Sequence, residues 1–246
     1  MTNDKVYIHE LIDVRGHNRA KYMHHMTANW SPLAQETRHQ LCYGVWATLG
    51  STGRWPQVVN IWEEDGFDGL AASFAEEAVG QGAQDPALER WWAHAAELRS
   101  GGFDRLLRPA PWTRTIEELS ADGVSGACYA HELVSVQPGS DRDFLELVRD
   151  HAISAYQTHR WELVGAWTTA MVNDDECLLL WVIPTWEHWA SLENAEHDDD
   201  DGLVKWRQLS TEVVTGRHRT ILVDAPLSPF RTGRQPNRDD RTDWVD

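Results

Sequence analysis

The chain has 246 residues, enough for one large domain or two small ones, and its 22 Lys and Arg residues against 39 Asp and Glu residues give a net charge of −17. Such an acidic surface repels phosphate backbones and anionic lipid headgroups, which argues against a nucleic-acid or membrane-surface partner. With 41% hydrophobic residues, the chain is able to build a core, which excludes a wholly disordered protein.

The three cysteines bear on the compartment in which the protein works. Cys42, Cys128 and Cys177 are odd in number, far apart and set in apolar strand-like segments. We therefore expect buried, reduced thiols and a cytoplasmic protein. No apolar run approaches the roughly 20 residues of a membrane-spanning helix, and the residues ahead of the first strand do not form a signal peptide.

The first half of the chain alternates strand and helix patterns. An alternating β-branched run at 6–14 predicts a strand, and mixed three-to-four spacing predicts a helix over about 18–40. The remaining predicted elements are strands at 42–49 and 57–63, helices at 67–78 and 86–100, and a short strand at 105–108. The overall order, β-α-β-β-α-β, is that of a ferredoxin-like unit.

The second half repeats this plan. Its predicted elements are strands at 127–136, 162–171, 176–183 and 218–223, and helices at 141–159, 185–195 and 202–214. Short motifs return in the same order: Tyr-Ile-His-Glu-Leu at 7–11 as Tyr-Ala-His-Glu-Leu at 129–133, and Gly-Val-Trp at 44–46 as Gly-Ala-Trp at 165–167. The offset falls smoothly from 122 to 115 residues along the chain. This pattern indicates an internal duplication, whose halves we call copy one and copy two.

The repeated motifs resemble those of the NIPSNAP family. They are a Tyr-x-x-Glu-Leu-type first strand, a Gly-x-Trp second strand and a closing Leu-Val-Asp-Ala-Pro-Leu-Ser-Pro segment at 222–229. The resemblance covers about residues 5–112 and 127–229 and implies a dimeric α+β barrel. This chain departs from the family pattern by placing His9 and His131 before the Glu-Leu, and Ile12 and Val134 where the family has arginine.

The resemblance implies a fold more than a function. The wider barrel superfamily includes cofactor-independent monooxygenases, polyketide cyclases, decarboxylating and isomerising enzymes, and haem enzymes, so the fold does not fix the chemistry. We predict an α+β protein in which two tandem ferredoxin-like (βαββαβ) units form an intramolecular dimeric α+β barrel. The predicted segments are unit one at 1–112, a linker at 113–126, unit two at 127–229, and a flexible polar tail or surface strap at 230–246.

The first strand of each copy carries the candidate acid–base groups. Because side chains alternate along a strand, either the histidines or the glutamates point into the barrel. A carboxylate on an apolar face has a raised pKa and can act as a general acid or base, and an imidazole beside a tyrosine hydroxyl is an equally good candidate. The candidate catalytic residues are Tyr7, His9, Glu10, Tyr129, His131 and Glu132. The alternative is a structural role, in which each His-Glu pair bonds to a strand neighbour or a helix end.

Tryptophan is in excess, with 14 residues. Those at matched strand positions, Trp46, Trp62, Trp167 and Trp181, are typical of packing, whereas Trp30 and Trp161 stand at helix ends or loops where rings can wall a cavity. We take all six as candidate substrate-binding residues, because an aromatic wall suits a flat apolar ligand. Trp91, Trp92 and Trp206, on the later helices, are predicted to be core anchors.

Metal and nucleophile motifs are missing from the sequence. The His-Glu-Leu segment at 9–11 lacks the second histidine of a zinc-protease motif, and no Gly-x-Ser-x-Gly elbow is present. We therefore predict no metal site and no cofactor. Haem remains an alternative, because a single axial histidine leaves no motif.

These patterns predict a small-molecule enzyme. We expect an apolar or aromatic ligand in a pocket lined by Trp and His, and His/Glu acid–base chemistry of the lyase, cyclase or isomerase type, or cofactor-independent monooxygenation. The alternatives are a non-catalytic binding or assembly protein and a haem- or metal-binding barrel. We expect no nucleic-acid or membrane partner, and a monomer or homodimer.

Overall fold

A computed structural model describes residues 2–79, 82, 84–171 and 173–240. Eight antiparallel strands form one closed barrel. The strands are β1 (Val6–Val14), β2 (Leu41–Thr48), β3 (Gln57–Glu64), β4 (Arg99–Pro109), β5 (Cys128–Val136), β6 (Glu162–Thr169), β7 (Glu176–Ile183) and β8 (Val214–Asp224). Their order around the barrel is β1-β3-β2-β8-β5-β7-β6-β4.

Each copy supplies one four-stranded sheet, and the two sheets join at two matching seams. At one seam β2 pairs with β8, with Thr48 opposite Leu222. At the other β4 pairs with β6, with Leu107 opposite Thr169. This architecture confirms the predicted fold, an α+β barrel that one chain closes by pairing its two ferredoxin-like units.

Most of the helices cover the outer faces of the two sheets, and two short ones, Ile116–Ala121 and Pro229–Thr232, lie at one end of the barrel. They are α1 (Arg19–His24), α2 (Ser31–Arg38), α3 (Gly66–Glu77), α4 (Pro86–Leu98), α5 (Ile116–Ala121), α6 (Asp141–Leu147), α7 (Ile153–Gln157), α8 (Trp186–His197), α9 (Asp201–Ser210) and α10 (Pro229–Thr232). The single helices predicted at 18–40 and 141–159 are each interrupted by a π-helical segment, at His25–Trp30 and Val148–Ala152. Among the described residues, no helix is long and apolar enough to cross a bilayer.

The barrel interior is a packed core. The rings of Trp46 and Trp167 lie inside it and are fully buried. Each ring covers the glycine two positions earlier: a Cβ at Gly44 would lie 2.1 Å from the Trp46 ring, and a Cβ at Gly165 would lie 1.7 Å from the Trp167 ring. The repeated Gly-x-Trp motif is therefore a packing motif, in which the glycine makes room for the indole.

Two strands are longer than the sequence predicts. β4 begins at Arg99 instead of 105, and β8 begins at Val214 instead of 218. The added residues of β4 include Gly101 and Gly102 and are exposed, so they lack the alternation of a half-buried strand. They nevertheless pair with β1 along its length.

The linker and the C-terminal segment close one end of the barrel. Within the linker, α5 starts with a capping box between Thr115 and Glu118, and its Ile116 is 1% exposed. From the other side Phe230 is 3% exposed and packs with the same core. Beyond it, Gln235 bonds to the backbone of Cys42.

Residues 229–240 therefore form a strap on copy one and not a flexible tail. The polar composition of the segment gave no sign that Phe230 anchors it in the core. Residues 241–246 of the predicted tail lie outside the described residues. The three cysteines are free and buried, as predicted.

Candidate functional site

The structure shows which face of each first strand, β1 and β5, points into the barrel. The side chains of Tyr7 and His9 point into the barrel, as do those of the matching Tyr129 and His131. The side chain of Glu10 points outward under the helices of its own copy, where it meets Asn60 and Trp62. Glu132 likewise points outward in copy two.

His9 and His131 meet each other at the centre of the barrel. Their Nε2 atoms lie 2.9 Å apart, and the rings stack with centroids 5.0 Å apart. One ring donates a hydrogen and the other accepts it. This contact differs from the predicted structural role, in which each histidine bonds within its own copy.

The barrel interior keeps both histidines neutral. Burial lowers the pKa of His131 to about 3, and the positive charges of Arg105 and His218 act in the same direction. Burial also lowers the pKa of His9 well below its usual value, as do His131 and Arg105. Neither histidine lines either of the two cavities described below. The pair therefore resembles a structural contact more than an acid–base site.

The two tyrosines bond elsewhere. The Tyr7 hydroxyl donates to Glu63 Oε2 at 2.9 Å, and the Tyr129 hydroxyl donates to Asp224 Oδ2 at 3.3 Å. Burial raises the pKa of both phenols. Neither tyrosine hydroxyl is therefore paired with a histidine, whereas an imidazole beside a tyrosine hydroxyl was one of the candidates from the sequence.

Glu10 opens onto a cavity of copy one, between the outer face of β1 and β3 and the covering helices. The cavity has a volume of about 170 Å³, close to the ~150 Å³ that holds a benzene ring. We call it the copy-one cavity; its lining residues are Ile8, Glu10, Met26, Trp30, Arg38, Gln40, Trp62, Phe74, Glu77, Trp91, Trp92 and Asp104.

The carboxyl group of Glu10 is buried and forms no ion pair with an arginine or lysine among the described residues. Glu10 is 8% exposed, and its Oε2 accepts hydrogen bonds from Asn60 Nδ2 at 2.9 Å and Trp62 Nε1 at 2.7 Å. Burial raises its pKa, and the negative charge of Asp104 raises it further, against the two hydrogen bonds and Arg99. Asp104 faces Glu10 directly across the strands.

The equivalent carboxyl group of copy two forms an ion pair with an arginine. Glu132 faces Arg219 across the strands, and its Oε1 accepts from Arg219 Nε at 2.8 Å. The same guanidinium also reaches Glu193 and Glu196, each at 3.3 Å. Of the two matched glutamates, Glu132 is held in an ion pair, whereas burial raises the pKa of Glu10.

The structure separates the six candidate tryptophans into three places. Trp30 and Trp62 line the copy-one cavity. Trp46 and Trp167 fill the barrel. Trp161 and Trp181 are fully buried in the outer core of copy two, where Trp181 stacks on Tyr156 with centroids 4.4 Å apart. The last four tryptophans are therefore packing residues and contact no cavity among those described.

Sequence reasoning missed four residues of the site. Trp91 and Trp92, predicted as core anchors, line the cavity, and Asn60 and Asp104 contact or face Glu10. A signal was present in the duplication: Asn60 aligns with Leu179, and Asp104 aligns with Arg219. A polar residue in one copy opposite an apolar or oppositely charged one in the other marks a divergent site.

The site does not fit a haem or a metal ion. No histidine lines the copy-one cavity, and a volume close to one aromatic ring is several times too small for a four-ring macrocycle. Among the described residues, no group of three His, Cys, Asp or Glu side chains is placed to hold a metal. The imidazole of His25 is stacked on Trp91, one of the lining residues, with ring centroids 4.7 Å apart.

Comparison with known proteins shows the fold. No protein-family profile and no curated sequence matches the chain. An anthrone oxidase-like protein matches with a TM-score of 0.65 and 9% identity over 91% of this chain and 93% of that one. A protein of Lactobacillus acidophilus, provisionally named a monooxygenase, matches with a TM-score of 0.60 and 10% identity over 91% of this chain and 95% of that one.

A NIPSNAP family protein of unknown function from Agrobacterium tumefaciens is similar to less than half of this chain. It has a TM-score of 0.38 and 19% identity, and covers 43% of this chain and 94% of that one. Membership of the NIPSNAP family thus stays a prediction that rests on the motifs.

Proposed function

We propose that this protein is an enzyme that binds a small, apolar, single-ring aromatic molecule in the copy-one cavity and moves a proton through Glu10. The observation that carries the proposal is the buried carboxyl group of Glu10, which lies in an indole-lined cavity without an ion pair among the described residues. Its counterpart in copy two, Glu132, is paired with Arg219. Both copies have a glutamate at this position, but within the part of the chain that the structure describes only the buried carboxyl group of copy one is left without an ion pair. A catalytic role is one reason for such an unfavourable group to persist.

The environment of Glu10 suits a general base. Burial and Asp104 favour its protonated form, whereas the Asn60 amide and the Trp62 indole stabilise the carboxylate. Both hydrogen bonds reach Oε2, so Oε1 is the oxygen that exchanges a proton with a ligand in the cavity. A base whose pKa lies closer to neutrality removes a proton most effectively at physiological pH.

The lining residues indicate the ligand class. Trp30, Trp62, Trp91 and Trp92 provide flat apolar walls, which favour an aromatic ligand. A carbonyl group next to the ring would make an adjacent C–H acidic enough for a carboxylate to abstract, which is the proton transfer of an isomerase, cyclase or lyase.

Solvent-deuterium exchange tests this proposal without knowledge of the product. In D₂O, the wild-type protein should accelerate deuterium incorporation next to the carbonyl of small aryl ketones such as acetophenone, followed by NMR. Glu10→Gln keeps the hydrogen-bond acceptor but removes the base and should lower exchange by about 100-fold or more.

The matched control is Glu64→Gln. Glu64 is 1% exposed and accepts from Gln40 Nε2 at 2.8 Å, yet does not line the cavity, so exchange should be unchanged. Wild-type exchange in Glu10→Gln, or a bound ketone that exchanges nothing, would contradict the acid–base role.

Oxygenation without a cofactor is a second candidate, favoured by the same base and by the names of the two full-length structural neighbours. A carbanion formed by Glu10 can react with O₂, so that a CH₂ group and O₂ become a C=O group and water. An oxygen electrode distinguishes the two: oxygen uptake that requires both ketone and Glu10 supports oxygenation, and exchange without uptake supports isomerase-type chemistry.

A further inference from the structure

A second, larger opening lies in copy two, between β8 and the helices α8 and α9. It has a volume of about 460 Å³, and its lining includes Trp189, Glu193 and Arg217, with Arg207 and Arg219 beside them. We call it the copy-two groove. Its position corresponds to that of the copy-one cavity.

The duplication has changed the chemistry of this position. Phe74, Trp92 and Asp104 of the copy-one cavity align with Glu193, Arg207 and Arg219 of the groove. The aromatic and acidic lining of one copy has thus become an arginine-rich lining in the other. The two openings are therefore expected to take different ligands.

Three hydrogen-bond donors of the groove-lining residues have no acceptor. They are Nε and Nη2 of Arg217 and Nε1 of Trp189, each covered from solvent and without a hydrogen-bond partner among the described residues. Native proteins pair nearly all such groups, because an unpaired buried donor is unfavourable. Two neighbouring lining residues that both lack an acceptor point to a ligand that supplies one.

Arg217 is also the arginine of the groove whose charge is not balanced. Arg219 is held by Glu132, Glu193 and Glu196, and Arg207 contacts Asp199 at 3.4 Å. No carboxylate among the described residues forms an ion pair with Arg217, whose guanidinium lies over the Trp206 ring at 5.2 Å.

The charges of the groove favour a single negative charge on the ligand. Of the three arginines in the lining, Arg207 and Arg219 are paired with carboxylates, which leaves the single positive charge of Arg217 for a ligand. A dianion such as phosphate would be repelled by Glu193 and Glu196, whereas a carboxylate matches the planar guanidinium in charge and geometry.

We propose that the copy-two groove binds a small monocarboxylate. Its carboxylate accepts hydrogen bonds from the Arg217 guanidinium and the Trp189 indole N–H, and its hydrocarbon part packs against the Trp189 ring and Ile221. The Arg207 and Glu193 side chains, 45% and 39% exposed, turn aside to admit it. This site is independent of the proton transfer proposed for Glu10.

Calorimetric titration of the full chain with benzoate tests the proposal. The wild-type protein should bind one benzoate, and Arg217→Met, which keeps packing on Trp206 but removes the charge, should weaken binding at least tenfold. Trp189→Phe removes only the N–H donor and should weaken binding several-fold. The matched control is Arg142→Met, an exposed arginine on α6, which should leave benzoate binding unchanged.

Two outcomes would overturn the proposal. One is benzoate binding that is absent in the wild type, or that Arg217→Met and Arg142→Met weaken equally, because the effect would then be one of overall charge. The other is tighter binding of inorganic phosphate than of benzoate at the same site. If Arg217→Met fails to fold, unchanged benzoate affinity in Trp189→Phe would overturn the proposal.

Discussion

At the residue scale, the free energy of burying a carboxyl group depends on the group that faces it across the strands. Glu132 faces Arg219, and both charges gain from the contact. Glu10 faces Asp104 instead, and its partners Asn60 and Trp62 are neutral donors. The same residue type at matched positions therefore forms an ion pair in copy two and is a buried carboxyl group with a raised pKa in copy one.

Replacing Glu10 by glutamine should raise the free energy of unfolding at pH 8 and change it little at pH 4. The pKa of Glu10 is raised in the folded protein, so above the unfolded value of about 4.3 the unfolded chain releases a proton that the folded one retains. Stability is thus lost as the pH rises from that value through the folded pKa. Glutamine has no proton to lose. Urea unfolding at the two pH values measures the difference.

Glu132→Gln is the matched variant, and the opposite result is expected. Removing this carboxylate leaves Arg219 with the Tyr156 hydroxyl and the two longer ion pairs to Glu193 and Glu196. Breaking a buried ion pair costs about 3 kcal/mol. The same urea experiment at pH 8 should therefore separate the variants, with Glu10→Gln at least as stable as wild type. Equal losses in both would show that Glu10 is paired as Glu132 is.

At the scale of secondary-structure elements, the His9–His131 contact joins β1 to β5 across the barrel. Because folding lowers the pKa of both imidazoles, the unfolded chain binds protons first as the pH falls below about 6.5. The contact therefore makes the free energy of unfolding fall with decreasing pH, by up to about 1.4 kcal/mol per pH unit for each histidine.

The double variant His9→Met, His131→Met should lose this acid sensitivity. Each single variant leaves the other imidazole nitrogen without its partner, at a cost of about 1–3 kcal/mol, whereas the double variant removes both groups. We expect the double variant to cost less than the two singles together. Urea unfolding at pH 5 and pH 7 tests both points, and additive losses with an unchanged pH dependence would rule out the coupling.

The second strands, β2 and β6, depend on their glycines. Gly44→Ala or Gly165→Ala places a methyl group inside the indole ring beside it, so the ring must shift within a closed core, at a cost of about 3 kcal/mol. Gly82→Ala is the control, because a Cβ there meets nothing within 4 Å, and its melting temperature should equal that of wild type. A melting temperature of Gly44→Ala equal to that of wild type would mean that the barrel core has room to adjust.

The elements also show what the sequence can and cannot predict. The duplication predicted both ferredoxin-like units and the barrel, because matched motifs such as Gly-x-Trp reflect local packing that each copy repeats. The inward face of β1 was not predictable, since His9 and Glu10 are both buried. The length of β4 was missed because Gly101 and Gly102 carry no alternating pattern, although β1 supplies their partners.

At the scale of the whole molecule, the inner and outer faces of the sheets have diverged differently. Inside the barrel the two copies touch each other, so Tyr7, His9 and Trp46 have identical counterparts in copy two. Outside, each sheet packs mainly against the helices of its own copy, so most changes in one copy require no answering change in the other. The proposed proton-transfer site and the copy-two groove both occupy this outer layer, where Asn60 and Asp104 differ from their counterparts Leu179 and Arg219.

The divergence of the copies can be reversed at one position. Asp104→Arg places in copy one the arginine that copy two has at 219. The new guanidinium should pair with Glu10 and lower its pKa, which should raise the free energy of unfolding at pH 8 by about 1 kcal/mol. Because Asp104 lines the copy-one cavity, deuterium exchange on aryl ketones should fall at the same time.

Asp104→Asn is the control that removes the carboxylate without adding a cation. It should lower the pKa of Glu10 less, since only the repulsion is lost, and should preserve more of the exchange activity. Urea unfolding and ketone exchange are to be measured together, because pairing Glu10 with an arginine should raise the stability and lower the exchange rate. A gain in stability with full exchange activity in Asp104→Arg would mean that proton transfer does not depend on an unpaired Glu10, and the acid–base role would then belong to another residue.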